Sequence, residues 1–363
     1  MSSAPPVDLR RALLRGLASS ASGLLVVVAV LLLVSRADLG AGAVSGLRAR
    51  AQLGPIVIAS ALMSTAFLFM GLRWRALMPA GHRPPAAGLT LLLLAGLLLN
   101  YALPGPVGDL AASWFAHRRY KVPLAASLAS GIVARLLGLI TAALLALGVW
   151  LFAAPPVPEG YERWVGAAAL LVGAGGLALA AAAAFPRPWQ ALSARILERL
   201  ARNPRLERPA RRAISGLDQL AEALAAVATR GARPYLWACG WAIAGHLTVT
   251  TGIGWATAAF GVTANPSGLL FTYTLSTAGA VLMFAFPGSQ LSWDAGFTAL
   301  LVGACGLTLT DALAVATLVR LQQVVLQALG GAALAWLMAT QGGPALPPDD
   351  PAPEPEKSTD LRQ

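Results

Sequence analysis

The sequence predicts an all-α polytopic integral membrane protein, with about eight transmembrane helices and two re-entrant half-helices arranged as an inverted repeat. The first observation is composition: 57% of the 363 residues are apolar and only 12% are charged, whereas a soluble domain carries about a quarter charged residues. The second is segment length, because several apolar segments approach or exceed the roughly 20 residues that cross a bilayer. The third is a pair of matched Asp and Arg residues in each half of the chain.

Apolar length and its interruptions predict eight spans, at residues 18–34, 55–72, 86–103, 124–153, 164–185, 234–260, 267–286 and 310–338. Two further apolar segments, 105–116 and 289–306, each follow a Pro-Gly break and are too short to cross. Such re-entrant segments are tolerated where protein or water shelters the broken backbone. We therefore expect a membrane domain over 18–340, after a short segment 1–17 and before a disordered, Pro- and acid-rich tail 341–363.

The net charge of +11 reflects membrane orientation rather than nucleic-acid binding, because the Arg residues lie between apolar spans. Most of them, including Arg73, Arg75 and Arg83, fall on one side of the predicted topology. The positive-inside rule then places both termini in the cytoplasm, in a plasma or inner membrane. The long connection 186–233 has amphipathic helical periodicity. It either contacts anionic headgroups or connects two bundles along the surface.

Four ionisable residues lie inside apolar segments and define two repeat units, at about 86–153 and 267–338. In each unit the Asp precedes the Arg by 26 residues: Asp109 and Arg135, then Asp294 and Arg320. Each Asp also follows a helix break, formed in the first unit by Pro104, Gly105 and Gly108, and in the second by Pro287 and Gly288.

The two units are predicted to be inverted, since the first break follows a span that rises from the cytoplasm and the second follows one that descends towards it. Inverted repeats with broken helices that meet near the midplane are common in secondary transporters. At about 1.5 Å per residue, the Asp and Arg of each unit lie roughly 18 Å from their connecting turn. The two charges should therefore meet near mid-bilayer, where a charge requires a partner or water.

Two interpretations of these charges remain open. In the first, Arg135 and Arg320 bind a phosphate or another anionic headgroup, and Asp109 and Asp294 complete the site. In the second, each ion pair only fixes the re-entrant segment to its helix. Other polar residues are less informative: Asn100 either caps the first break or faces the cavity, and His246 is expected to make a helix–helix hydrogen bond.

At these residues the sequence resembles a known family. The runs NYALPGPVGDLAASWFAHRRYKVPLAASLASGIVARLLGL (100–139) and FPGSQLSWDAGFTALLVGACGLTLTDALAVATLVR (286–320) resemble the flippase-like transmembrane domain of lysylphosphatidylglycerol synthases and their stand-alone relatives. The resemblance extends from the first span to about residue 340. It departs from the family pattern where Ala134 and Asp294 stand in place of Glu. The resemblance implies movement of a lipid or lipid-linked intermediate between leaflets.

The predicted function is therefore lipid translocation through a polar cavity at the midplane. The alternative is a non-transporting lipid-binding or scaffold subunit of a lipid or glycolipid synthesis pathway, and a membrane-embedded transferase is a weaker possibility. We expect no enzyme activity, because the sequence has no acidic cluster and no Ser-His or Cys-His arrangement. No cofactor, metal or nucleic acid is expected. The expected partner is a membrane lipid, together with a lipid-biosynthetic enzyme.

Overall fold

The computed structural model describes residues 50–102, 107–153, 222–283 and 289–341, with isolated positions between 155 and 195. These residues form long α-helices, and no β-strand occurs among them. The helices are α1 (Leu53–Leu77), α2 (Ala86–Ala102), α3 (Val107–Tyr120), α4 (Leu124–Ala153), α5 (Ala232–Ala258), α6 (Pro266–Met283), α7 (Ser289–Cys305) and α8 (Leu309–Gln341).

Three of these helices are long and apolar enough to cross a membrane, namely α1, α4 and α8 over Leu309–Thr340. The chain is thus a multi-pass membrane protein. The predicted span 18–34 and most of 164–185 lie outside the described residues, as do the two terminal segments and most of the connection 186–233. The total of eight spans stays a prediction.

The two segments predicted to be too short to cross form separate helices. α3 has 14 residues and α7 has 17, so they extend for about 21 and 26 Å, less than the bilayer core of about 30 Å. A short turn joins each of them to the next long helix, α4 or α8. The breaks before them, at 103–106 and 284–288, lie outside the described residues, and with them Pro104, Gly105, Pro287 and Gly288.

The helices α1 and α5 pack against each other along most of their length and run antiparallel. The backbone N–H of Gln52, at the start of α1, donates to the carbonyl oxygen of Ala259, just after α5, at 2.9 Å. Towards the other end, Phe69 stacks on Trp241 with ring centroids 5.8 Å apart. Between these points Gly252 packs directly against α1, and a small residue of this kind allows two membrane helices to approach closely.

Two further helix pairs join the first four helices to the last four. α2 packs against α8, where Gly330 lies directly on the carbonyl oxygen of Leu94. α6 packs against α4, where Trp150 stacks on Phe271 with centroids 5.7 Å apart. In the two sets α1–α4 and α5–α8, the second helix of each set therefore contacts the last helix of the other set.

Candidate functional site

The first ion pair joins the start of α3 to the middle of α4. Arg135 Nη1 donates to Asp109 Oδ2. The amide of Asn100, at the end of α2, donates to Asp109 Oδ1 at 3.2 Å and accepts the backbone N–H of Gly108 at 2.7 Å. Asp109 lies in the first turn of α3, where the helix dipole favours a negative charge. Four of the predicted site and break residues thus form one network across the first break.

Glycine is required where α3 meets α2. An added Cβ at Gly108 would overlap the carbonyl oxygen of Gly96 and the side-chain amide of Asn100, and a Cβ at Gly96 would overlap the backbone of Gly108. Two backbones can approach this closely only without side chains between them. The close contact holds Asp109 at a fixed position opposite Arg135.

The second ion pair joins α7 to α8. Arg320 Nη2 donates to Asp294 Oδ2, and Nη1 donates to Oε1 of Gln323 at 2.9 Å. The other carboxylate oxygen of Asp294, Oδ1, is buried and accepts no hydrogen bond within the described residues. Both predicted Asp–Arg pairs are therefore formed.

The two ion pairs differ in exposure, which the matched spacing does not reveal. The side chains of Arg135 and Asp109 are 40% and 37% exposed, whereas those of Arg320 and Asp294 are 2% and 7% exposed. The α8 segment 311–320, which carries Arg320, is buried almost throughout, whereas the α4 segment around Arg135 is only partly buried. The first pair faces open space and the second lies in the protein interior.

Arg73, which the sequence counts among the positive charges that set topology, is a buried residue. It is only 9% exposed, and its guanidinium lies directly on Gly138 in the middle of α4. The helical periodicity of the sequence already distinguishes Arg73 from Arg75. Residues two apart lie about 200° apart around a helix, so Arg73 and Arg75 occupy nearly opposite faces of α1, and here Arg75 is exposed while Arg73 is buried.

His246 lies beside this guanidinium contact. Its Nε2 donates to the carbonyl oxygen of Gly138 at 2.9 Å, which confirms the expected helix–helix hydrogen bond. The ring of Tyr273 lies 5.8 Å from the imidazole. Arg135 precedes Gly138 by three residues on the same face of α4, so its side chain lies one turn from the Arg73 contact. Helices α1, α4, α5 and α6 thus converge on one polar region.

A basic cavity of about 420 Å³ lies where α1 ends and α5 begins. Its lining includes three arginines and two tryptophans: Arg75, Arg83, Arg233, Trp237 and Trp241. Beside it, Arg230 donates to the carbonyl oxygen of Leu77 at 2.5 Å, and partial burial lowers its pKa. The cavity concentrates positive charge at one end of the bundle, next to aromatic rings suited to a membrane interface. In the described part of the chain, no group of three His, Cys, Asp or Glu residues could hold a metal.

Comparison with known families supports what these landmarks imply. Residues 20–331 match the family described as the lysylphosphatidylglycerol synthase TM region. The chain belongs to this family. No curated protein and no solved structure matches it significantly. Membership in the lysylphosphatidylglycerol synthase TM region family associates the chain with lipid metabolism or transport in membranes, and the match includes both ion pairs.

The structure shows what one departure from the family pattern contributes. Ala134, which stands where the resemblance leads one to expect Glu beside Arg135, is 4% exposed and belongs to an apolar cluster with Ala129 and Trp74. This position contributes packing here rather than a second carboxylate. Asp109, from α3, supplies the negative charge at Arg135.

Proposed function

We propose that this protein is a lipid translocator, in which the headgroup of a phospholipid or lipid-linked intermediate crosses the membrane through a polar cavity while its acyl chains remain in lipid. The observation that carries the proposal is the half-exposed Asp109–Arg135 pair. Arg135 is 11 residues after the first residue of α4, about 17 Å along a helix that is long enough to span the bilayer.

The exposure of this pair has a physical consequence. A charge that faces hydrocarbon at mid-bilayer is costly, so intramembrane charges face the protein interior or a water-filled cavity. Because Arg135 and Asp109 are more exposed than residues of the protein interior, we assign them to a water-filled cavity. The planar guanidinium of Arg135 suits a phosphate, which it binds through two parallel hydrogen bonds.

The roles of the two pairs are therefore divided in this proposal. Asn100, Asp109 and Arg135 contact the headgroup. The buried pair of Asp294 and Arg320 instead fixes α7 to α8 and gives the cavity a rigid wall. This division favours the headgroup-binding interpretation for the first unit and the purely structural one for the second.

The inverted repeat is part of the proposal: the units predicted at 86–153 and 267–338 correspond to α2–α4 and α6–α8, and we extend each by the helix before it, α1 or α5. Five contacts support it: α1 lies antiparallel to its counterpart α5, α2 packs on α8 as α6 packs on α4, and each unit has its own Asp–Arg pair. Units related in this way can open a central site alternately to either side by rocking against each other. We place the basic cavity on the cytoplasmic side of a cell membrane, in accordance with the positive-inside rule.

Replacing Arg135 with Gln is expected to reduce transbilayer lipid movement at least tenfold, because the headgroup loses its cationic partner at mid-bilayer. The measurement is dithionite quenching of fluorescently labelled phosphatidylglycerol in liposomes that contain the purified protein. Arg163→Gln is the matched control, since Arg163 is exposed and outside the network. Full activity of R135Q would reject this site.

A second candidate is a non-transporting lipid-binding subunit that works with a lipid-biosynthetic enzyme. The basic cavity beside Trp237 and Trp241 favours it, because such a cavity can hold an anionic headgroup at the membrane surface without moving it. Lipid that copurifies with the protein while liposomes show no transbilayer movement would support this candidate. Neither candidate requires catalysis by the chain itself.

A further inference from the structure

Arg73 points into the bundle rather than towards its end. In the last two turns of α1, Trp74 reaches Ser130 of α4 with its indole N–H at 3.1 Å. The neighbouring guanidinium of Arg73 contacts Gly138, eight residues further along α4 and about 12 Å deeper. Arginines near the ends of membrane helices normally extend outwards to reach water. The inward direction of Arg73 therefore requires a physical cause within the protein.

Among the residues that the structure describes, no side chain neutralises this guanidinium. Arg73 makes no hydrogen bond or ion pair in the described part of the chain, and its Nε is fully buried without a partner. Its main electrostatic neighbours are Tyr273, Arg135 and Cys239, and none of these is a carboxylate. A buried charge left unpaired is strongly unfavourable. The region also holds a second guanidinium, that of Arg135, and one carboxylate, Asp109, so its formal charge is +1.

We propose that Arg73 and Arg135 together bind one phosphate group, where α1, α4, α5 and α6 converge, with the hydroxyl of Tyr273 as a neutral donor. Two guanidinium groups with several N–H donors suit the three or four oxygens of a phosphate. The phosphate belongs either to a lipid headgroup or to free phosphate. The assignment deepens the proposed function and rests on it only for the expectation that a lipid supplies the phosphate.

Gly138 is the second element of this site, because its lack of a side chain leaves room for the guanidinium. A Cβ at position 138 would overlap the end of the Arg73 side chain. That end is flexible, so Gly138→Ala should displace the guanidinium without unfolding the bundle. The variant removes no charge and therefore tests the position of the Arg73 charge alone.

The first experiment compares the wild type with Arg73→Met in detergent. Thermal unfolding is followed without ligand, with phosphatidylglycerol, with phosphatidylcholine and with inorganic phosphate. R73M is expected to be at least as stable as the wild type without ligand, because an uncompensated buried charge is gone. Its affinity for phosphate-bearing ligand should fall at least tenfold, with loss of the ligand-induced rise in melting temperature. A response to phosphatidylglycerol alone identifies a lipid, and a response to inorganic phosphate alone identifies the free ion.

The second experiment uses Gly138→Ala with Gly148→Ala as its matched control. Gly148 lies on the same helix and has open space where a Cβ would go. G138A is expected to weaken binding of the same ligands several-fold, whereas G148A should bind as the wild type does. If R73M does not fold, this pair decides the question.

Wild-type binding in both R73M and G138A would overturn the assignment. So would a wild type that responds to none of the three ligands, phosphatidylglycerol, phosphatidylcholine and inorganic phosphate. Transport in liposomes separates this result from the proposed function. A wild type that binds through Arg73 but moves no lipid keeps the phosphate site and rejects the translocator. A wild type that transports lipid, together with an R73M variant that binds and transports equally well, keeps the translocator and rejects the phosphate site.

Discussion

Replacing Asp294 with Asn is expected to destabilise the protein by about 3–5 kcal/mol, the usual cost of removing one partner from a buried ion pair. Arg320 is 1% exposed, so water cannot replace the lost carboxylate. The remaining amide gives Arg320 a neutral acceptor where it had a negative charge. The measurement is a large fall in the thermal unfolding temperature of purified protein in detergent.

The matched control is Asp109→Asn in the first unit. The side chains of Asp109 and Arg135 are 37% and 40% exposed, and exposed ion pairs contribute only about 0–1 kcal/mol. D109N should therefore unfold at nearly the wild-type temperature while transport falls. Equal losses of stability in D294N and D109N would show that the two pairs do not differ as their exposure indicates.

A double variant separates the cost of an unpaired charge from the value of the pair. Replacing a buried ion pair by apolar residues of similar size is often neutral or stabilising. Asp294→Leu with Arg320→Met should consequently unfold at a higher temperature than D294N alone. A double variant that is less stable than D294N would mean that the second pair contributes more than mutual neutralisation, through the other bonds of Arg320.

Helix positions and the meeting of the charges could be predicted from the sequence, because both follow from one-dimensional patterns. The predicted span 124–153 coincides with α4 (Leu124–Ala153), and the span 55–72 lies within α1 (Leu53–Leu77). In each unit the Asp and the Arg are 26 residues apart and lie on either side of a turn. The two residues therefore lie at the same depth. A fixed rise per residue suffices for this prediction.

Exposure could not be predicted in the same way, since it depends on which helices from elsewhere in the chain cover each pair. The matched spacing makes Arg135 and Arg320 look equivalent, yet neighbouring helices bury the α8 segment around Arg320 and leave the α4 segment around Arg135 partly exposed. Arg73 shows the same limit. Counting positive charges assigns Arg73 to one side of the membrane, and its contact with Gly138 on another helix is visible only in the structure.

Replacing Gly108 with Ala is expected to separate α3 from α2 and to abolish transport. The new Cβ would overlap the carbonyl oxygen of Gly96, a backbone atom that cannot move aside, and the amide of Asn100. Overpacking of this kind typically costs about 1–3 kcal/mol. The functional loss should be larger than the loss of stability, because Asp109 is the next residue and would move away from Arg135.

Gly296→Ala is the control for this prediction, since Gly296 lies in α7 with open space around its Cα. An Ala in an exposed helical position normally favours the helix, so G296A should transport lipid and unfold as the wild type does. Lipid movement and thermal unfolding are measured for both variants. Wild-type transport by G108A would show that the α2–α3 contact can open without loss of function. The headgroup site would then not depend on the position of Asp109, and Arg135 would have to hold the phosphate with other partners.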